Sequence, residues 1–77
     1  MTAVIRHNGD LTRTAMWIRE NGGSCTAPSA VEFGFEDEFR VRTTVGATAV
    51  RPGDYVVCGD FGDFYVISPD EIDGADQ

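Results

Sequence analysis

The chain has 77 residues and a formal net charge of −7, with 42% hydrophobic and 25% charged residues. That is a globular composition, long enough for one small core and too short for two, so multidomain enzyme architectures are excluded. No apolar run approaches the length that spans a bilayer, and Met1-Thr-Ala-Val-Ile-Arg-His7 lacks the basic and apolar segments of a secretion signal, so a cytoplasmic protein is expected.

In chain order, Thr2 to His7 alternates Val4 and Arg6 with Ile5 and His7, which predicts a short edge strand. Asn8-Gly-Asp10 turns the chain, and Asp10 can accept from the first free amides of a helix. Leu11, Ala15 and Ile18 fall at helical spacing, flanked by Thr14, Met16 and Trp17, and Gly22-Gly23 stops the run, which predicts a helix over about residues 10 to 21. Ser24 to Ala30 is a small-residue connection containing Pro28.

Val31, Phe33 and Phe35 alternate with Glu32 and Gly34, the pattern of a half-buried strand over residues 30 to 35. Glu36-Asp-Glu38 then turns into a second alternating run, with Phe39, Val41, Thr43 and Val45 inward and Arg40 and Arg42 on a basic outer face. A short strand at Ala47 to Val50 can follow. Tyr55-Val-Val-Cys58 and Phe64-Tyr-Val-Ile67 read as two strands joined by the glycine-containing turn Gly59-Asp-Phe-Gly-Asp63. Ser68-Pro-Asp-Glu71 has the residue order of a helix start. The expected architecture is therefore α+β: one N-terminal helix packed on a small, mainly antiparallel sheet with a C-terminal hairpin. One domain is expected over residues 1–72, and a frayed acidic tail over 73–77.

Charge is unevenly placed. Residues 52 to 77 carry seven acids and no base, whereas all six basic residues are arginines at or before position 51. An acidic pole repels phosphate backbones, which argues against direct nucleic-acid binding. Its ordinary role is solubility; the alternative is contact with a basic protein surface. The absence of lysine points to a GC-rich source genome.

Candidate sites are few. Asp54, Asp60, Asp63 and Asp70 could offer oxygen ligands, but their spacing matches no calcium loop, so no metal and no cofactor is expected. His7 has no nucleophile in a recognised setting beside it, and no catalytic residue is assigned. Gly53, Gly59 and Gly62 lie between strands and have no lysine to meet a phosphate. Cys25 and Cys58 form no CxxC pair and are expected as reduced thiols, with a single disulfide across a sheet as the alternative. Phe61 either caps its hairpin or anchors a protein interface. The candidate binding set is thus Asp54, Asp60, Phe61, Asp63, Asp70 and Glu71, with the Arg40 and Arg42 face as the alternative.

Pro52-Gly-Asp-Tyr-Val-Val-Cys-Gly-Asp-Phe-Gly-Asp-Phe-Tyr65 resembles a motif of small phage and prophage proteins, PGDW-I-I-x-G-x-x-G-E-F-Y followed by a Pro-Asp pair. Pro52, Gly53, Asp54, Tyr55, Gly59, Gly62, Phe64, Tyr65, Pro69 and Asp70 match in order. Asn8-Gly-Asp10, Gly22-Gly23 and Thr43-Thr-Val-Gly46 are weaker echoes. The chain departs from the pattern at Val66 and Ile67, where the family has proline and cysteine, and after Asp70, where Glu71-Ile-Asp-Gly replaces an aromatic-rich end. The resemblance implies a phage-encoded accessory protein and brings no catalytic residue with it. The function expected is non-catalytic binding of a host or phage protein, including inhibition of a host protein through the acidic face. A virion-associated structural part is the alternative, ahead of a small enzyme or metal-binding module.

Overall fold

A computed structural model describes residues 2–71. Its elements run β1 (Ala3–Arg6), α1 (Leu11–Glu20), α2 (Pro28–Glu32), β2 (Arg40–Thr43), β3 (Gly46–Ala49), β4 (Tyr55–Cys58) and β5 (Phe64–Ile67). The fold is α+β, with one main helix and antiparallel strands. The strands divide between two sheets, ordered β1-β4-β5 and β2-β3. β1 is an edge strand, pairing Ile5 with Val56, and β4 pairs Tyr55 with Ile67 and Cys58 with Phe64 in the C-terminal hairpin. β5 also packs against both β2 and β3, which joins the two sheets.

Residues 24–26 run along the free side of β2. The Thr26 amide donates to the Arg40 carbonyl at 2.9 Å, the Arg42 amide donates to the Ser24 carbonyl at 2.9 Å, and Cys25 bridges Val41. The smaller sheet therefore gains a third, irregular strand that its apolar pattern does not announce.

α1 begins where Asp10 Oδ1 accepts from the Arg13 amide at 3.1 Å. It ends as Gly22, at φ +84°, lets its amide reach the Arg19 carbonyl at 3.0 Å while the Gly23 amide reaches Ile18 at 2.9 Å. That pairing is the Schellman motif. Thr14, Ala15 and Ile18 form the buried stripe of the helix, and Trp17 meets Phe64 edge-to-face with centroids 6.4 Å apart. Ile5, Phe39, Val41, Val50, Val56, Cys58 and Phe64 complete the core. Both cysteines are free thiols, Cys25 half-buried and Cys58 buried.

Two strand expectations are corrected. Residues 30–35 are no strand: Pro28 opens the short helix α2 at its first position, Phe33 is its C-cap and Gly34 follows at φ +80°. Phe33 and Phe35 consequently stand 76% and 83% exposed. Val45 also fails to join the inner face. β2 stops at Thr43, Thr44 and Val45 form the turn into β3, and Val45 is 89% exposed. Phe39 and Val41 do point inward, and Arg42 is exposed as expected. At the C-terminal end the Glu71 amide donates to Ser68 Oγ at 3.3 Å, a serine cap on the helical turn at residues 69–71. The tail expected at 73–77 lies outside the described residues.

His7 is 1% exposed, the most buried ionisable group among the described residues. Its Nδ1 lies 2.7 Å from Thr14 Oγ1 and its ring stacks on Phe39 at 5.8 Å. Burial pushes its pKa below the ordinary 6.5; Asp54 and Asp10 oppose that shift, Arg13 adds to it, and burial wins. The native state therefore holds the neutral imidazole, while the unfolded chain protonates near pH 6.5. The stability due to this group is complete above that pH. It is lost as pH falls towards and through the depressed native pKa. Urea midpoints measured from pH 7.5 down to 5 should show this loss, with a slope of at most about 1.4 kcal/mol per pH unit. In His7→Gln the same stretch of the pH profile should be flatter.

A Cβ on Gly23 would lie 2.6 Å from Phe64 Cζ and 2.8 Å from Ile18 Cγ2. The end of α1 is thus packed backbone-on-ring against the hairpin. Gly23→Ala should cost about 1–3 kcal/mol through overpacking, read as a lower urea midpoint with an unchanged slope.

Candidate protein-binding surface

The β4–β5 turn is built by its glycines. The Gly59 amide donates to the Asp63 carbonyl at 2.7 Å, the Gly62 amide donates to the Gly59 carbonyl at 3.1 Å, and Gly62 takes φ +80°. A three-residue hairpin loop needs that left-handed last position. Asp60, Phe61 and Gly62 form the tip, where Phe61 is 98% exposed. The ring does not cap the hairpin. Asp60 stands beside it, also exposed, with Oδ1 accepting from Thr2 Oγ1 at 3.2 Å.

Asp63 behaves differently from its neighbour. Its carboxylate folds back over Gly59 towards the Tyr65 hydroxyl, and a Cβ on Gly59 would lie 2.6 Å from Asp63 Oδ1 and 2.7 Å from that hydroxyl. The Tyr65 hydroxyl, then the Asp63 and Phe61 amides, hold the Asp63 carboxyl below its ordinary range, and the carboxylate in turn pushes the Tyr65 phenol up. Oδ1 is sealed from solvent with no hydrogen-bond partner among the described residues. Asp63 is a loop brace more than a contact residue.

The other expected binding residues lie elsewhere. Asp54 Oδ2 accepts from the Arg51 amide at 3.0 Å and the Asp54 amide donates to the Arg51 carbonyl at 2.9 Å, closing the turn through Pro52 and Gly53, whose φ is +99°. Asp54 is thus used by the turn, and the Arg-Pro-Gly-Asp order is explained by it. Asp70 and Glu71 lie past the far end of β5. At about 3.3 Å per residue, the five steps from position 54 to 59 separate the two acid groups by roughly 16 Å. That is about twice the Debye length at physiological salt, so they cannot act as one patch. The structure brings together Asp60, Phe61 and Asp63, and leaves Asp54, Asp70 and Glu71 at the opposite end of the hairpin.

Of two other surface features, one was not foreseen and the other lies on the Arg40 and Arg42 face expected as the alternative. One is the exposed Phe33 and Phe35 pair after α2. The signal existed in Pro28 and Gly34, an N-terminal proline and a C-terminal glycine around a short segment, but the period-2 pattern of Val31, Phe33 and Phe35 masked it. The other is an open groove of about 460 Å³ lined by Ser24, Cys25, Thr26, Arg40, Arg42 and Ala47 among others. Arg40 on its wall is already paired, with Glu38 at 3.3 Å and Glu36 at 4.0 Å. Burial pushes the Cys25 thiol up, and the nearby Arg19 opposes that without reversing it, which leaves a protonated thiol at neutral pH. Among the described residues no three histidine, cysteine or carboxylate side chains converge on a point where they could hold a metal ion. No described helix is long and apolar enough to cross a membrane.

The Asp63–Tyr65 brace is directly measurable. Tyr65→Phe should raise the Asp63 pKa towards its ordinary value, followed by carbon-detected NMR titration of the side-chain carboxyl. An unmoved titration would show that the loop amides alone hold the carboxylate.

Compared with protein-family models, with curated proteins and with solved structures, the chain finds no match in any of the three. The functional reading therefore rests on residues and geometry.

Proposed function

We propose that this chain is a small phage-encoded accessory protein of the bacterial cytoplasm, acting without chemistry by binding a host or phage protein. Inhibition of the bound protein is the simplest outcome of such a contact. The observation that carries the reading is Phe61: a phenylalanine 98% exposed at the tip of a hydrogen-bonded turn, beside the exposed carboxylate of Asp60. A large apolar ring on a pre-shaped loop loses little entropy on docking and is the residue type that dominates interface energetics. The neighbouring charge selects a basic partner surface and speeds encounter. The resemblance of the Pro-Gly-Asp stretch supports the phage origin, and the formal charge of −7 supports a basic partner.

Affinity capture from lysate of a bacterial host, with the wild-type chain and Phe61→Ala side by side, tests the reading. A partner should be retained by the wild type and lost by the variant. Burying a phenylalanine is worth about 1.5–3 kcal/mol, so Phe61→Ala should raise the dissociation rate about ten- to a hundredfold in surface-plasmon kinetics. Asp60→Asn should mainly slow association, and less so as salt rises. Salt-independent binding that neither substitution changes would exclude the hairpin tip as the contact.

A further inference from the structure

We propose that residues 32–37 form a second docking knob, Phe33 and Phe35 rimmed by carboxylates, for a partner protein that offers an apolar cleft edged by lysine or arginine. It uses residues separate from Phe61 and does not depend on the hairpin reading.

The knob is held in one shape. α2 is tied to the core through Val31, and after it the Gly34 amide donates to the Val31 carbonyl at 3.2 Å while the Phe35 amide donates to the Ala30 carbonyl at 2.8 Å. These are the two hydrogen bonds of a Schellman motif, with Gly34 in the left-handed position at φ +80°. The Glu36 amide adds a further bond to the Ala30 carbonyl at 3.0 Å. In this motif the residue after the glycine commonly folds back onto the helix. At the end of α1 the equivalent residue, Gly23, does pack against the core. Here it is Phe35, 83% exposed, with Phe33 at 76% on the other side of the glycine. Two rings are therefore displayed by a backbone already ordered, so docking them costs little further ordering.

Charge identifies the occupant. Glu32, Glu36 and Asp37, the acidic neighbours of the two rings in sequence, are all exposed. Glu36 and Glu38 share Arg40, whereas Glu32 and Asp37 make no ion pair among the described residues. A second copy of this chain meeting the same face across a two-fold axis would set these carboxylates against each other. An anionic lipid surface or a nucleic acid would be repelled in the same way. A basic rim around an apolar cleft satisfies both the rings and the acids.

The test is selection of a random-peptide display library on the immobilised wild-type chain, with counter-selection on the Phe33→Ser, Phe35→Ser double variant. Enriched peptides should combine apolar residues with arginine or lysine. A synthetic peptide of the enriched sequence should shift backbone amide resonances of residues 30–38 and leave those of 59–63 in place. Its affinity should drop about tenfold or more with either serine substitution. It should also weaken between about 50 and 300 mM salt. Glu32→Gln with Asp37→Asn should weaken binding too, which decides the matter even if the double serine variant is unstable. The proposal is overturned by no enrichment, by acidic or neutral consensus peptides, or by shifts at 59–63 in place of 30–38. A concentration-dependent dimer in sedimentation that the serine variant abolishes would equally overturn it, since the occupant would then be a second copy.

Discussion

The fold is organised around His7, the point at which four separate segments meet. Its amide donates to the Asp54 carbonyl at 2.8 Å, and its carbonyl accepts from the Gly53 amide at 2.7 Å, so the end of β1 is closed onto the Pro-Gly-Asp turn. Nδ1 reaches Thr14 on α1 at 2.7 Å, and the ring lies against Phe39 at the entry to β2. One side chain thus joins the three-stranded sheet, the helix and the smaller sheet. A chain of this size buries too little apolar surface to tolerate an unsatisfied polar group at its centre. The hydroxyl of Thr14, itself fully buried, answers that requirement.

With the centre fixed in this way, β5 serves as the seam between the two sheets. Phe64 carries it: the ring is buried, takes the edge of Trp17, and fills the space that the missing side chain of Gly23 leaves. The hairpin is therefore anchored by packing directly beside its turn, while the Phe61 ring within that turn is left exposed. Residues 60–62 contribute almost nothing to the core, so the identity of Phe61 is unconstrained by folding. The same holds for Phe33 and Phe35 after α2. Of the five phenylalanines, Phe39 and Phe64 build the core and the other three do not.

How far the sequence announces this structure depends on which signal dominates locally. α1 was legible because its apolar spacing, its Asp10 cap and its Gly22-Gly23 stop all agree. The C-terminal hairpin was legible because two apolar runs flank a glycine-rich turn. The alternation of Val31, Phe33 and Phe35 normally means one buried face, but here Val31 lies in α2 and Phe33 and Phe35 follow it, exposed, so the pattern is never laid on a sheet. Pro28 and Gly34 carried the correct boundary information, and both act through backbone geometry that a hydrophobic pattern does not register. The acidic candidates were grouped by nearness in sequence. A hairpin returns the chain to its starting end, so Asp54 and Asp60, close in sequence, fall at opposite ends while Asp54 and Asp70, far apart in sequence, share one.

Exposed aromatics are a liability that a small protein tolerates only under particular conditions. Three exposed phenylalanines on 77 residues would favour self-association in a neutral chain. Here each lies beside carboxylates, Asp60 at one tip and Glu32, Glu36 and Asp37 at the other, so copies of the chain approaching through these rings meet like charge first. The carboxylates thereby do two things with one charge. They oppose homotypic contact, and they leave the rings accessible to a surface of opposite sign. Solubility and the partner selection proposed above, which composition alone presents as competing explanations of the negative charge, draw on the same carboxylates in this arrangement.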